Sequence, residues 1–386
     1  MGLVRDPRTR RLERRYLDAA AQLASEFFVL TNGEHDGDRG VNAIVEAAYG
    51  DPSKPQSEGC YLPGLAAGGV QLQDRHGAIS HPGVSQREIR FLAQMPLRAA
   101  QMLTEILGHD RLNFLRSDIE QLVSACVLNN RVSPTLNLNP LHARLDGSPE
   151  QYLELQRAAS EFLESELARA REEGLEDSFF IHLAPNQGRD NKGRERLRAA
   201  QGRDAGTTDF QLMLRGAVKE AGVIVLLNHY YREHYGVWPL GENFNAREAP
   251  ADADALLELA ADHFDPQRMP RIVGVGDTLT SDRSGSERHR GGSDRGFLEL
   301  VQGLSEHFGT NNLTVFVDSS GGEVRRPGLG QPLVGAERPN WPALEGISDE
   351  RDPLRINYLF PGGHHSYIEF FCDLAERRAA RHKAPG

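Results

Sequence analysis

The chain has 386 residues, 39% of them hydrophobic and 26% charged, a length and balance that suit a soluble globular protein of two domains, or of one domain carrying a large insertion. Its formal charge of −11 argues against a general nucleic-acid or membrane-surface role, which needs a basic face, but leaves room for small anionic substrates met by local Lys and Arg. No apolar run approaches a membrane span and no signal peptide opens the chain, so the cytoplasm is expected; Cys60, Cys126 and Cys372 lack metal-ligand spacing and read as free thiols.

Leu12, Tyr16, Ala20, Leu23 and Phe27 fall at helical spacing and predict an Arg-rich amphipathic helix from near Leu12. It leads into Phe27-Phe-Val-Leu30, the length of a buried parallel strand, which ends at Thr31-Asn-Gly33 before a helix marked by Val41, Ile44, Val45 and Ala48. A hydroxyl at a strand end followed by a Gly turn and a helix suits a phosphate. Thr31 donates through its hydroxyl, and the N–H groups of Asn32 and Gly33 point into the same space. An ordinary strand and turn reads equally well here.

From Asp51 to Gln211 the alternation of strand and helix stops. Val70 to Ile79 reads as a hairpin turning at Asp74 to Gly77, and helices are predicted over Gln86 to Leu107, Asp118 to Leu128 and Pro149 to Glu173, before a strand from Ser178 to Leu183. Residues 51–211 are therefore expected to form an inserted α+β domain, with residues 1–50 and 212–386 as the core. Its polar loops, Asn129 to Thr135 and Ala184 to Gly193, have the composition to grip a polyol, and equally that of ordinary surface turns.

The α/β rhythm returns with Leu212 to Leu226, read as one buried helical stretch with Lys219 in its middle. A lysine among such neighbours either snorkels to water or meets an anion, because an unpaired buried ammonium is costly. After a helix over Asp254 to Phe264 comes Ile272-Val-Gly-Val-Gly-Asp277, a short β-branched strand with an acid at its carboxyl end, where open α/β sheets hold their ligands. A helix N-cap or turn aspartate is the alternative for Asp277. Asp282 to Gly292 has the makeup of a mobile loop, and Ser293-Asp294 reads as the cap of the next helix. A strand over Leu313 to Asp318 and a closing helix over Tyr367 to Arg381 complete the chain.

A hydroxyl after one strand, a lysine on a helix, and acids at and after a later strand, in that order, resemble three of the four signatures of the haloacid dehalogenase phosphatases. The blocks Leu30-Thr-Asn-Gly-Glu-His35, Tyr61 to Gln71, Gly206-Thr-Thr-Asp-Phe-Gln211, Val218-Lys-Glu-Ala-Gly222, Gly274-Val-Gly-Asp-Thr278, Gly291-Gly-Ser-Asp-Arg295 and Phe360-Pro-Gly-Gly-His364 together resemble the glucosylglycerol-phosphate phosphatases, cyanobacterial salt-tolerance enzymes, over essentially the whole chain. The resemblance implies a Rossmann-like core with a parallel sheet, residues 51–211 as a substrate-selecting cap, and release of glucosylglycerol from its 3-phosphate with Mg²⁺. It implies Thr31 as the phosphate-binding hydroxyl with Asn32 and Gly33 beside it, and Lys219 as the cation for the phosphoryl group and the attacking carboxylate. Asp277 becomes a metal ligand, with Asp294 as the second carboxylate and Asp282 its rival. The partner expected is a small sugar phosphate, with glucosylglycerol-phosphate synthase as a candidate protein partner and neither nucleic acid nor membrane. Phosphatases for sucrose, trehalose or mannosylglycerate phosphate, or a non-catalytic phospho-sugar binder, are the alternatives.

The fourth signature of that superfamily is an apolar strand ending in Asp-x-Asp, whose first acid attacks phosphorus, placed before the first helix. Here Met1 stands where the motif should already have ended, so the central strand is expected to be missing and the nucleophile to lie upstream. Asp36-Gly-Asp38, Asp252-Ala-Asp254 and Asp318 are poor substitutes by position. The 386-residue chain is expected to hydrolyse nothing by itself.

Overall fold

The computed structural model describes residues 4, 9, 11–23, 25–37, 39–109, 114–145, 148–320, 328–329 and 341–383. Helix α1 (Arg14–Gln22) leads to β1 (Val29–Leu30), shorter than the apolar run because Phe27 packs edge-on against Tyr16 and Phe371 instead of joining the ladder. Helices α2 (Val41–Tyr49) and α3 (Ser53–Glu58) follow, then β2 (Gly64–Ala66), β3 (Gln71–Gln73) and β4 (Ile79–Ser80). The expected hairpin is present: the Asp74 carboxylate accepts the N–H groups of His76 and Ala78 at 2.8 and 2.9 Å, and Gly77 takes φ 81°. Strand β2 runs parallel to β1, with Val29 opposite Gly64, so the sheet β1-β2-β3-β4 crosses the border expected between residues 50 and 51.

The next stretch is helical: α4 (Gln86–Leu92) and α5 (Met95–Leu107), split where one helix was expected because Pro96 opens the second. Then come α6 (Arg116–Cys126), β5 (Val127–Leu128), β6 (Thr135–Asn137), α7 (Asn139–Arg144), α8 (Pro149–Glu172), β7 (Phe179–Ala184), β8 (Asn186–Arg189), β9 (Glu195–Leu197) and β10 (Asp209–Leu214). Strands β5-β6-β10-β7 make an antiparallel sheet whose inner residues Phe210, Leu212 and Leu214 are fully buried in one core with Leu103 and Leu163 of the helices behind. Leu212 to Leu214 thus pair with Ile181 to Phe179 and are not helical, a correction to the reading of one stretch through Leu226. Gly216 at φ 83° turns the chain, and α9 (Lys219–Tyr235) begins at Lys219, which stands in its first turn and not at its middle.

After α10 (Ala253–His263), β11 (Val273–Gly276) delivers Asp277. Residues expected to be a loop form the hairpin β12 (Thr280–Ser284) and β13 (Glu287–Gly291), although their side chains show no apolar alternation; Arg290 instead grips Asp349 through two bonds of 2.8 Å, and Ser281 donates to the same carboxylate at 2.6 Å. Helix α11 (Arg295–Phe308), β14 (Leu313–Val317), β15 (Tyr358–Phe360) and α12 (Gly363–Lys383) finish the chain, with β11-β14-β15 all parallel.

The α/β core thus holds two sheets that share their helical layers. Val29 of β1 and Val275 of β11 pack on the same cluster, built from α1, α2 and α12, while Leu30 joins the cluster of α9, α10 and α11 on the other side. Among the described residues nothing pairs with the outer edge of β1 or of β11.

The turn after β2 joins the sheet to α9. A Cβ on Gly68 (φ 71°) would lie 2.2 Å from the Ala217 carbonyl, whereas Gly37 (φ 82°) has nothing within 4 Å. Gly68→Ala is expected to cost at least about 2 kcal/mol and Gly37→Ala about 1 kcal/mol, since only the first adds a backbone clash to the left-handed strain; urea midpoints of the two variants check the difference.

Candidate active site

Three hydrogen bonds extend the β1–β2 pairing past the strand ends and fix the turn at Thr31: Thr31 N–H to the Leu65 carbonyl at 3.0 Å, Ala67 N–H to Gly33 at 2.7 Å, and Gly68 N–H to Thr31 at 2.9 Å. Ala67 adopts φ 50°, a conformation rare for a residue with a side chain and concentrated at functional turns. The Gly33 N–H donates to Thr31 Oγ1 at 3.2 Å, so that amide supports the hydroxyl, whose own hydrogen points elsewhere. Thr31 is buried.

The same turn carries the site to the lysine. Gly68 touches Ala217 and Gly69 approaches Val218 and Gly222, so Lys219 begins its helix next to the Thr31 turn. Gly222 makes the approach close: a Cβ there would fall 2.6 Å from Leu30 Cδ1. Lys219 is buried and does not snorkel; its ammonium forms an ion pair with Asp294 Oδ1.

Asp294 sits at the N-cap position of α11, yet its carboxylate makes no cap bond to that helix. Oδ2 reaches across to accept the N–H groups of Asp277 at 2.7 Å and Thr278 at 2.9 Å. The glycines of Gly274-Val-Gly276 permit this, because a Cβ on Gly276 would stand 2.8 Å from the Asp294 Cβ and one on Gly274 3.1 Å from Leu298. A bare strand face lets α11 lie close enough for its first carboxylate to seize the turn after β11. Lys219, Asp294 and Asp277 therefore follow one another through direct contacts, and the Thr31 turn reaches the start of the lysine's helix through Gly68 and Ala217.

Asp282 is placed otherwise. Its carboxylate takes Arg198 Nε at 2.7 Å and Gln187 at 3.2 Å, tying β12 to the segment before β10. Arg198 is buried and also holds Asp204. Asp318 accepts the N–H groups of Ser320 and Leu329, both at 2.8 Å, and Asp252 caps α10. Asp38 lies outside the described residues.

Several residues without an assigned role in the sequence reading join the antiparallel sheet to this site. Glu34 is buried and its carboxylate accepts the N–H groups of Arg131, Val132 and Ser133 at 2.7 to 3.0 Å, and the Ser133 hydroxyl at 3.0 Å, so the core loop clamps the polar loop of residues 129–135. Burial raises the Glu34 carboxyl above its usual range against the pull of those donors. Asn32 Nδ2 bonds His182 Nε2 at 2.8 Å, and His182 Nδ1 lies 2.9 Å from Glu195 Oε1. Glu34 stands in the block Leu30 to His35, which carried a motif but no role for each residue; His182 and Glu195 have no local signal, because strand pairing alone brings them here.

A metal would find carboxylates of the chemistry that Mg²⁺ prefers. Asp277 and Asp294 meet at one turn, and Mg²⁺ is commonly held by one or two carboxylates plus substrate phosphate and water. Among the described residues no group of three or more His, Cys, Asp or Glu could hold an ion by itself, so the pair fits a metal completed by other ligands.

Lys219→Met strands a buried carboxylate and is expected to cost about 3–5 kcal/mol, much of it regained in Lys219→Met/Asp294→Asn; a double-mutant cycle by urea denaturation checks this. His35 gives a second expectation. It is fully buried, and burial lowers its imidazole from 6.5 to about 4. The unfolded chain therefore binds the extra proton between these values, and the stability from a neutral His35 is present above about pH 6.5 and lost as the pH falls toward 4, by about 3 kcal/mol. Comparing urea midpoints at pH 7 and 4.5 for the parent and His35→Gln should show this part of the slope missing from the variant.

The family model described as glucosylglycerol-phosphate phosphatase matches residues 1–375. A curated relative, the glucosylglycerol-phosphate phosphatase of a Synechocystis species, is 49% identical over 381 residues, covering 98% of this chain and 90% of the relative. No solved structure matches the chain.

Proposed function

The chain belongs to the glucosylglycerol-phosphate phosphatase family, and from that premise we propose that it serves the release of glucosylglycerol and phosphate from glucosylglycerol 3-phosphate, as a phosphatase of the haloacid dehalogenase type. The observation that carries this is the buried Lys219–Asp294 pair with Asp277 on one side and the Thr31 turn on the other. Phosphoryl transfer asks a protein chiefly for position and charge neutralisation. In this reading the Thr31 hydroxyl donates to a phosphoryl oxygen, and the Lys219 ammonium neutralises the phosphoryl charge and that of the attacking carboxylate. Asp294 keeps Lys219 aimed, and through the amides of Asp277 and Thr278 it fixes the turn that presents Asp277. Asp277 and Asp294 would hold Mg²⁺, which supplies charge neutralisation at the transferring phosphoryl group when bound. The bonds of Asp294 to the amides of Asp277 and Thr278 put it at the same turn as Asp277, which favours it over Asp282 as the second carboxylate.

The antiparallel sheet and its helices act in this reading as the cap, with Glu34 and the Asp282–Arg198 pair holding it against the core. A closed cap keeps water from the reacting phosphorus until the alcohol leaves. The finer expectations of cytoplasmic action and a synthase supplying the substrate belong to the same proposal; no helix among the described residues is long and apolar enough to cross a membrane.

The test is phosphate release in Mg²⁺ from glucosylglycerol 3-phosphate and from sucrose, trehalose and mannosylglycerate phosphates. Release from glucosylglycerol 3-phosphate is expected to be at least about tenfold faster than from the other three. Release from none of them, or a preference for another sugar phosphate, overturns the proposal.

A further inference from the structure

One row of the antiparallel sheet faces the phosphate-binding turn. Gln211 of β10 stands opposite His182 of β7 and opposite Thr135 of β6, so the three side chains share one face, with neighbouring Cβ atoms about 5 Å apart. The opposite face, with Phe210, Leu212 and Leu214, is the apolar one. That the polar face looks toward the core follows from two contacts: His182 bonds Asn32, and Met213, two residues along from Gln211, closes on Gly68 to the point that a Cβ there would lie 2.7 Å from Met213 Cε.

Each amide in this row is held by one bond. Gln211 Nε2 donates to Thr135 Oγ1 at 2.8 Å, and that hydroxyl donates in turn to the Ser133 carbonyl at 2.8 Å, in the loop that Glu34 grips. Glu195 Oε1 accepts from His182 Nδ1, which leaves Nε2 to accept from Asn32 Nδ2. The amino ends of Gln211 and Asn32 are thus engaged, and their carbonyl ends, Gln211 Oε1 and Asn32 Oδ1, have no partner among the described residues. Gln211 is only 6% exposed, yet its unpaired oxygen keeps some access to solvent, so a ligand can reach it.

We infer that Gln211 and Asn32 are the specificity-determining residues of this site, their side-chain oxygens accepting hydroxyl groups of a polyol whose phosphate rests on the Thr31 turn. The inference rests on the phosphatase reading above and extends it to the alcohol half of the substrate. Asn32 adjoins the phosphate-binding hydroxyl in sequence and Gln211 lies one strand pairing from its partner His182, so both oxygens sit where the esterified alcohol leaves the phosphate. The acceptors call for donors, which a polyol supplies at every carbon and an apolar alcohol does not. Thr135, His182 and Glu195 are positioning residues, because each acts by orienting one of the two amides.

Binding separates this from the chemistry. Calorimetric titration of the 386-residue chain in Mg²⁺ with glucosylglycerol 3-phosphate and with orthophosphate gives the comparison. Gln211→Leu should weaken the sugar phosphate about tenfold to a hundredfold and leave orthophosphate within about twofold. Thr135→Val, nearly isosteric, should move it in the same direction by a smaller factor. If the parent prefers the sugar phosphate and both variants keep that preference, the inference fails while the phosphatase reading stands. Loss of both ligands in equal measure also overturns it, since that marks a structural role. If the parent chain does not distinguish the two ligands, the substrate reading falls and takes the inference with it.

Discussion

Burial of the Lys219 ammonium against the Asp294 carboxylate is the constraint to which the rest of the core conforms. Two charges taken out of water tolerate one another only with good geometry and with their remaining bonding capacity filled. Here the second oxygen of Asp294 is filled by the two amides that follow β11, so the pair is also the pin that joins α9, α11 and the strand end. Remove the lysine and a carboxylate is left in a dry place. Remove the carboxylate and the turn at Asp277 loses its anchor.

Such a pin requires the backbone to come close, and glycine provides the room. Gly274 and Gly276 bare one face of β11 for α11, Gly222 lets α9 settle on Leu30, and Gly68 lets the turn after β2 rest on Ala217. The antiparallel sheet and its loops are drawn to this assembly by polar groups. Glu34 gathers the amides of residues 131–133, Arg198 spans Asp204 and Asp282, and His182 holds Asn32. Packing therefore joins the helices to the strands, while hydrogen bonds set the position of the antiparallel sheet beside them.

The parallel strands were largely legible in the sequence because strand ends announce themselves. A short β-branched run stopped by Thr31-Asn-Gly33, or by Gly276-Asp277, says where a parallel strand finishes and what it presents. Lys219 was legible as a lysine that must either snorkel or meet an anion, but neither the choice between them nor its place in the helix was. Leu212 to Leu214 carry the same apolar signal as a helix, and only their pairing with β7 makes them a strand. The β12–β13 hairpin was hidden for a related reason, since its polar residues are ordered by distant partners such as Asp349 and Arg198 and by no local alternation. Gln211 lay in a block that marked the chain's resemblance and His182 in none, and their adjacency is a fact of strand register, which a single sequence does not disclose.

The central claim is that one anion pocket is shared by Thr31, Lys219 and Asp277. A crystal structure of the protein with tungstate and Mg²⁺ tests it most directly, because tungstate mimics phosphate and its anomalous signal fixes its position. The account predicts tungsten within hydrogen-bonding reach of the Thr31 hydroxyl and the Lys219 ammonium, with a metal at Asp277. Tungstate bound elsewhere, with those three side chains facing no common ligand, would contradict it.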